Sequence, residues 1–443
     1  MRIQLSDHFT YGRLLRFALP SVTTLLFCSI YGVVDGIFVS NLVGKTEFAA
    51  VNLIMPIMMI IGGVGFMMGA GGTAVVAKTL GEKEDGLARR YFSLFVYATA
   101  ALGIALATLG AIFVRPLSEL LGAEGAMLDA CESYGRIVLL AMPCFMLQNL
   151  FQSFFIVAEK PKLGLWVTVA AGIANILLDA LFVGALGFGL EGAALATSLS
   201  QMIGAATPIF YFARKNSSLL RLTKTRFYGR IFLKAATNGS SELMSNISSS
   251  VVTMLYNMQL MVLTENGNGV AAYGVIMYVS FIFISIFIGF SVGTAPIVGY
   301  NFGAKNAPEM KNILRKSTVI LFSTGFLMSA AAFIFARPLA TIFVGYDENL
   351  LEMTVEGLKI FSLSFVLSGF SIFGSSFFTA LNNGPVSAFI SFMRTLVFQA
   401  LGIIILPIFF GLGGVWYSML IAELCAIVTT VIFLFINKKK YGY

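Results

Sequence analysis

The chain has 443 residues, of which 58% are hydrophobic and only 11% charged. A water-soluble protein of this size could not hide that much apolar surface, so the composition excludes a large soluble enzyme. The net charge of +8 at pH 7 calls for no nucleic-acid partner, because it gathers on what reads as the cytoplasmic face of a membrane protein. Cys28, Cys131, Cys144 and Cys425 form no close-spaced pair, and the single histidine, His8, lies in the polar N-terminal tail. Disulfide frameworks, zinc spacings and histidine metal sites are therefore not expected, nor is any cofactor. The first apolar run is too long for a signal sequence and is read as a retained helix.

About 20 apolar residues cross a bilayer. Twelve runs meet that rule, near 14–40, 48–77, 91–114, 132–157, 164–185, 190–213, 235–263, 270–300, 317–336, 356–381, 386–410 and 413–436. Basic residues sort by side. Lys78, Lys83, Arg89 and Arg90 follow the second span, Lys160 and Lys162 the fourth, and Lys305, Lys311, Arg315 and Lys316 the eighth. The segment 214–234 adds Arg214, Lys215, Arg221, Lys224, Arg226, Arg230 and Lys234, and both tails are basic. The opposite side holds only Lys45, Arg115, Arg136, Arg337 and Lys359. Both termini are expected in the cytoplasm.

The chain repeats itself. Arg115-Pro116-Leu117 returns as Arg337-Pro338-Leu339, and the same shift of 222 carries Gly81 and Lys83 to Gly303 and Lys305, Gly135 to Gly357, and Ser153 to Ser375. "GLEG" at 189 becomes "GLGG" at 411. We read a duplicated six-helix unit. An all-α polytopic fold follows, with twelve transmembrane helices in two pseudo-symmetric bundles: residues 1–213, a basic linker 214–234, and residues 235–443.

Two motifs mislead. "GKT" at 44–46 resembles the tail of a phosphate loop, but Val39 stands where that loop needs glycine. "GGVGFMMGAGG" at 62–72 lies inside an apolar helix, where small residues allow close helix contact. Pro20, Pro56, Pro143, Pro296 and Pro407 are kink positions, and a bending point in transport is the second reading of each.

Charges inside the spans carry the functional signal. One ionised side chain at the bilayer centre costs about 2.5–3.5 kcal/mol on insertion scales. The candidates are Asp35, Asp179, Glu242, Arg394 and Glu423. Asp35 lies near the outer end of the first span, and Asp179 about 9 Å from the outer end of the fifth. Asn175 precedes Asp179 by one turn, and Thr197 falls at a similar depth on the sixth span. Four polar groups thus converge in the first lobe. The shift turns Asp35, Asp179 and Thr197 into Asn257, Leu401 and Met419, so the cluster belongs to one lobe only. Two carboxylates at low dielectric cannot both ionise cheaply, so the pair can hold a proton. The same oxygens, with the Asn175 amide and the Thr197 hydroxyl, could ligate Na+. A polar knot joining the three helices is the alternative. Arg394 and Glu423 are expected to pair structurally. Gln148 and Gln152, one turn apart on the fourth span, and Glu242 on the seventh are candidate substrate contacts.

These features together resemble the bacterial branch of the multidrug and toxic compound extrusion (MATE) family over nearly the whole chain. The carriers are "FALPSVTTLLFCSIYGVVDGIFVSNLVG", "AKTLGEKED", "GYNFGAKNA", "AEKPKLG", "NILLDALFV" and "GLEGAALATSLSQ". The resemblance implies a non-enzymatic antiporter of the bacterial cytoplasmic membrane, driven by H+ or Na+, that exports amphipathic, often cationic, compounds. It implies a coupling site at Asp35, Asn175, Asp179 and Thr197. Some relatives use acids on the seventh and tenth spans instead; here "GFSIFGSSFFTAL" has none, which leaves Glu242 alone. A flippase for a lipid-linked sugar is the alternative reading, and a non-transporting receptor or scaffold is a rival of another class. Small molecules and lipid are the expected partners of a monomer.

Overall fold

No water is present in hydrocarbon, so each backbone N–H and C=O must find a partner within its own segment, and helices supply one at every residue. The computed structural model describes residues 3–43, 45–121, 123–264 and 268–443, apart from the side chains of 32–42, 45, 46, 48, 49 and 52. The first half of the chain holds α1 (Tyr11–Leu42), α2 (Lys45–Gly81), α3 (Asp85–Leu120), α4 (Gly125–Val157), α5 (Pro161–Asp179) and α6 (Gly189–Ala213). A π-helical segment, Ala180–Ala185, extends α5. The second half holds α7 (Gly229–Leu263), α8 (Asn268–Gly303), α9 (Ala307–Ile334), α10 (Ala336–Val344), α11 (Glu348–Ser362), α12 (Phe365–Ala380), α13 (Gly384–Phe392) and α14 (Phe398–Tyr441). The last two are joined by π-helical Met393–Val397.

Among the described residues, nine helices are long and apolar enough to cross a bilayer, and ten if α11 and α12 form one broken span. That pair bends by 50° where the sequence predicts a single run over 356–381. The Ser362 and Ser364 hydroxyls turn back onto the carbonyls of Lys359 and Phe361 there, at 2.8 and 2.7 Å. The spans predicted at 386–410 and 413–436 meet at Gly411, whose φ of 54° breaks the helix between them. A residue with a Cβ would strain at that angle. α7 is not among the apolar nine, because serines and asparagines such as Asn238, Ser241, Asn246 and Ser248 punctuate it. It begins at Gly229, inside the expected 214–234 linker, because a helix can project past the hydrocarbon into the basic layer.

The two halves meet through backbone. α2 packs on α7 and α8, and α1 packs on α8. A Cβ on Gly71 of α2 would overlap the Ala235 carbonyl of α7, and one on Gly239 would overlap the Met67 carbonyl. Nearer the basic end, Gly81 abuts the Tyr300 carbonyl while Gly303 abuts that of Lys78. The 222-residue shift carries Lys78 to Tyr300 and Gly81 to Gly303, so this contact maps onto itself. Small residues permit such approach where no hydrophobic effect drives helices together.

The N-terminal segment straps this end. Leu5 and Phe9 are fully buried. The Leu5 N–H donates to Glu159 at 2.9 Å, at the turn between α4 and α5. The Phe9 N–H donates to Glu309 of α9 at 2.9 Å, and His8 Nδ1 lies 2.7 Å from the same carboxylate. Asn312 and Lys316 donate to the Phe9 carbonyl at 3.0 and 2.7 Å, and Arg13 donates to that of His8 at 3.1 Å. Burial alone would raise the Glu309 pKa, but the Phe9 N–H, His8 and Asn312 together hold it below 4.5. A depressed carboxylate contributes stability above its unfolded pKa, and that contribution is lost as pH falls through the folded value. Amide exchange at Leu5 and Phe9, relative to its intrinsic rate at each pH, should therefore accelerate as acid protonates the Glu309 carboxylate. Glu309→Ala should accelerate it at pH 7 by about tenfold, the scale of one hydrogen bond to a charged group. Unchanged exchange in the variant would mean that the two buried side chains alone hold the strap.

Candidate functional site

α1, α4, α5 and α6 enclose a cavity of about 50 Å³. Tyr31 of α1, Gln148 of α4, Asn175 of α5, and Thr197, Ser200 and Gln201 of α6 supply its polar lining, and Ala171 and Gly172 supply its floor. Glycine makes the room: a Cβ on Gly172 would meet the Phe27 ring, and one on Gly204 would meet the Gln148 side chain at 2.5 Å. Asn175 is 2% exposed and Gln201 7%. The Asn175 amide nitrogen and the Gln201 amide oxygen find no hydrogen-bond partner among the described residues. A buried polar atom without a partner is costly, so such atoms mark places where water or an ion completes the set. The volume suits a few waters or a small cation with its waters, and falls far below the 300–1,000 Å³ or so of a drug pocket.

Asp179 sits one turn along α5 from Asn175, with no solvent exposure at all. It is the last α-helical residue before π-helical Ala180–Ala185. Such insertions occur frequently at functional sites, because they re-aim the side chains beside them. The structure thus brings Gln148, Asn175 and Thr197 to one cavity, and Asp179, one turn from Asn175, is not among its described lining residues. Asp35 lies on α1, one turn beyond Tyr31, and its side chain falls outside the described residues. Gln152 does not line the cavity, although it follows Gln148 by one turn. Glu242 is partly exposed on α7, in the other half of the chain. Tyr31, Ser200 and Gln201 escaped the sequence reading. Their signal was spacing: Tyr31 precedes Asp35 by four residues, and Ser200 and Gln201 follow Thr197 by three and four.

The second half answers the same positions differently. The 222-residue shift carries Gly172 to Arg394 and Gln201 to Glu423. Arg394 grips Glu423 through two nitrogens, at 2.8 and 2.9 Å, and the Glu423 side chain is wholly buried. Asn175 becomes Val397, Thr197 becomes Met419 and Gln148 becomes Phe370. Where the first half keeps a polar cavity, the second is filled by a neutralised ion pair and apolar bulk. No cluster of three or more metal-binding side chains of the histidine, cysteine or carboxylate type occurs among the described residues.

A helical membrane protein with a buried polar cavity in one half, whose repeat-related positions in the other half hold an ion pair, has the form of a secondary transporter. The MatE family model matches residues 20–181 and again 243–408, and the chain belongs to that family. It is a multi-pass membrane transporter of the MATE type and not an enzyme. Among similar proteins is the multidrug export protein MepA of Staphylococcus saprophyticus, 25% identical over 431 residues, 95% of this chain and 92% of that one. MepA of Staphylococcus aureus is 25% identical over 437 residues, 95% of this chain and 93% of that one. The fold matches an outward-facing multidrug resistance MATE transporter of the MOP superfamily with a TM-score of 0.92 at 22% identity, over 98% of this chain and 97% of that one. It matches a MOP superfamily transporter from Pyrococcus furiosus with a TM-score of 0.91 at 22% identity, over 98% of both chains.

Glu423→Leu should destabilise the detergent-solubilised protein by about 3 kcal/mol or more, since it strands a buried guanidinium. Arg394→Met with Glu423→Leu should recover most of that loss, because two apolar groups of similar size replace the pair. Thermal unfolding of both variants checks this. Equal destabilisation by the single and double replacements would show that the pair contributes net stability.

Proposed function

We propose that the protein is a cation-coupled antiporter that exports amphipathic, cationic compounds by alternating access. The observation that carries this reading is the asymmetry of the repeat. A buried aspartate and an under-satisfied polar cavity stand in one half, and the other half closes the same positions with an ion pair. Asp35, Asn175, Asp179 and Thr197 are the coupling residues, and they would hold a proton or, as oxygen ligands, Na+. Tyr31, Ser200 and Gln201 complete the polar shell through which the ion arrives with water. Gln148, Gln152 and Glu242 are substrate contacts once the halves part.

The working unit is a monomer of two lobes, residues 1–213 and 235–443, linked by 214–234. It crosses the bacterial cytoplasmic membrane twelve times. The ten apolar spans support that count, together with α7 and the break at Gly411. Both termini lie in the cytoplasm, with the basic connections. The glycine contacts of α2 with α7 and α8, and the N-terminal strap, close the cytoplasmic side. We therefore assign this conformation to the outward-facing state, and the likeness to an outward-facing relative supports that assignment. A cation from outside binds at Asp179 and Asp35, substrate leaves outward, and the lobes rock. The flippase reading gains no support: the buried Arg394 that would have attracted a phosphorylated headgroup is neutralised by Glu423.

Cationic dye efflux in proteoliposomes tests the proposal, with a proton or a sodium gradient imposed separately. Wild type should respond to one gradient, and Asp179→Asn should lose that response while inserting and folding normally. An Asp179→Asn variant that transports as well as wild type would leave the aspartate a structural knot.

A further inference from the structure

A second recess lies apart from the polar cavity, and the proposed transport cycle does not draw on it. It is a groove of about 530 Å³ between α3 and the chain that leads into α7. Leu94, Ala98 and Leu102 of α3 form one wall, and Phe227 and Phe232 form the other. Arg226 is the one charged residue among the described residues that line it.

The charge stands at one end. The Arg226 guanidinium lies 4.8 Å from the centre of the Tyr228 ring. Tyr228 packs edge-on against Tyr91 at 5.3 Å, and the charges of Arg90 and Arg226 both act on the Tyr228 phenol. Arg90 and Tyr91 precede Leu94 by about one turn. Both guanidiniums therefore mark the start of the groove. From Leu94 to Leu102 the apolar wall runs about 12 Å further along α3. α3 is one of the membrane-crossing helices, so the groove descends from the basic layer into hydrocarbon. Glu82, the acid whose charge reaches Tyr91, is itself engaged by Lys78 at 3.2 Å.

The segment 214–228 is held in place to form this wall. The Thr223 N–H donates to Ser93 at 2.9 Å, Arg89 donates to the Leu219 carbonyl at 3.1 Å, and Leu220 is fully buried. Phe227 nevertheless stays 70% exposed and Tyr97 49%, facing the groove and the lipid beside it. The other half has no counterpart. The 222-residue shift turns Arg90 into Asn312 and Leu94 into Lys316, and both of those bond to Phe9.

A ligand that fits must present an anionic head to two guanidiniums and an apolar chain to the wall below them. Arginine suits a phosphate, which it can grip with two parallel hydrogen bonds. We propose that this groove is a binding site for one anionic phospholipid, its phosphate at Arg90 and Arg226 and one acyl chain along Leu94–Leu102. The site ties the interlobe linker to the composition of the surrounding leaflet.

Tryptophan quenching tests this in the intact protein. Tyr97→Trp places a reporter in the groove, and the signal of Trp166 and Trp416 is subtracted using wild type. The protein is reconstituted in phosphatidylcholine vesicles that contain an equal fraction of dibrominated phosphatidylglycerol or dibrominated phosphatidylcholine. The phosphatidylglycerol should quench the reporter more strongly, with a relative affinity of roughly fivefold per engaged arginine. Arg90→Gln with Arg226→Gln in the reporter background should bring the ratio to about one, and Lys438→Gln should leave it unchanged. Unaltered quenching by phosphatidylcholine in the arginine variant reports that the groove is still folded. Equal quenching by both lipids in the reporter protein would overturn the proposal. So would a preference that survives the loss of both arginines.

Discussion

An ionised group moved from water into hydrocarbon costs several kcal/mol, and much of this molecule is arranged around that cost. Arg394 and Glu423 meet it by neutralising each other at 2.8 Å. The proposed coupling site places the fully buried Asp179 one turn from Asn175, which lines the polar cavity. Glu309, outside the spans, meets it with a backbone N–H, a histidine and an asparagine. The first solution is closed and static. The second leaves atoms of Asn175 and Gln201 without a hydrogen-bond partner among the described residues, which on the proposed reading keeps room for an exchangeable ion. Coupling to a gradient requires an unfinished site of this kind, because a fully satisfied cluster has no use for an ion.

The duplication explains how one chain can hold both solutions. Gly172 and Arg394 occupy equivalent positions, as do Gln201 and Glu423. A glycine and a neutral amide leave space and polarity, whereas an arginine and a glutamate fill the space and cancel. Bulk follows the same division, with Gln148 set against Phe370 and Thr197 against Met419. In the proposed function one lobe serves the ion and the other does not. Between them the contact is made by backbone at Gly71, Gly81, Gly239 and Gly303, where no side chains need to repack. A closure of that kind can separate as a unit, which is what two rocking bodies require.

Much of this was legible in the sequence. Membrane character and repeat followed from apolar run length, basic asymmetry and the 222-residue shift, and the family from the resemblance carried by motifs such as "NILLDALFV" and "GYNFGAKNA". Asn175 and Asp179 could be put on one face because helical spacing fixes it, and Thr197 could be set at their depth from the start of its span. The broken run at 363–364 was not legible. Hydropathy averages over about 20 residues and does not see a turn that serine hydroxyls stabilise. Tyr31 and Gln201 were missed because, unlike a carboxylate, neither is conspicuous in an apolar run. Gln152 looked equivalent to Gln148 because both are glutamines one turn apart, yet a helical turn of four residues drifts by about 40° and only Gln148 reaches the cavity.

The central claim is that ion and substrate oppose each other through Asp179. Its most direct test is the affinity for a fluorescent cationic substrate, measured at equilibrium in nanodiscs across pH and sodium concentration. Linkage requires that the coupling ion weaken substrate binding by the same factor by which substrate weakens the ion. The account predicts an affinity that falls as proton or sodium occupancy rises in wild type, and a flat response in Asp179→Asn. A substrate affinity indifferent to both ions in wild type, or an unchanged ion dependence in Asp179→Asn, would contradict it.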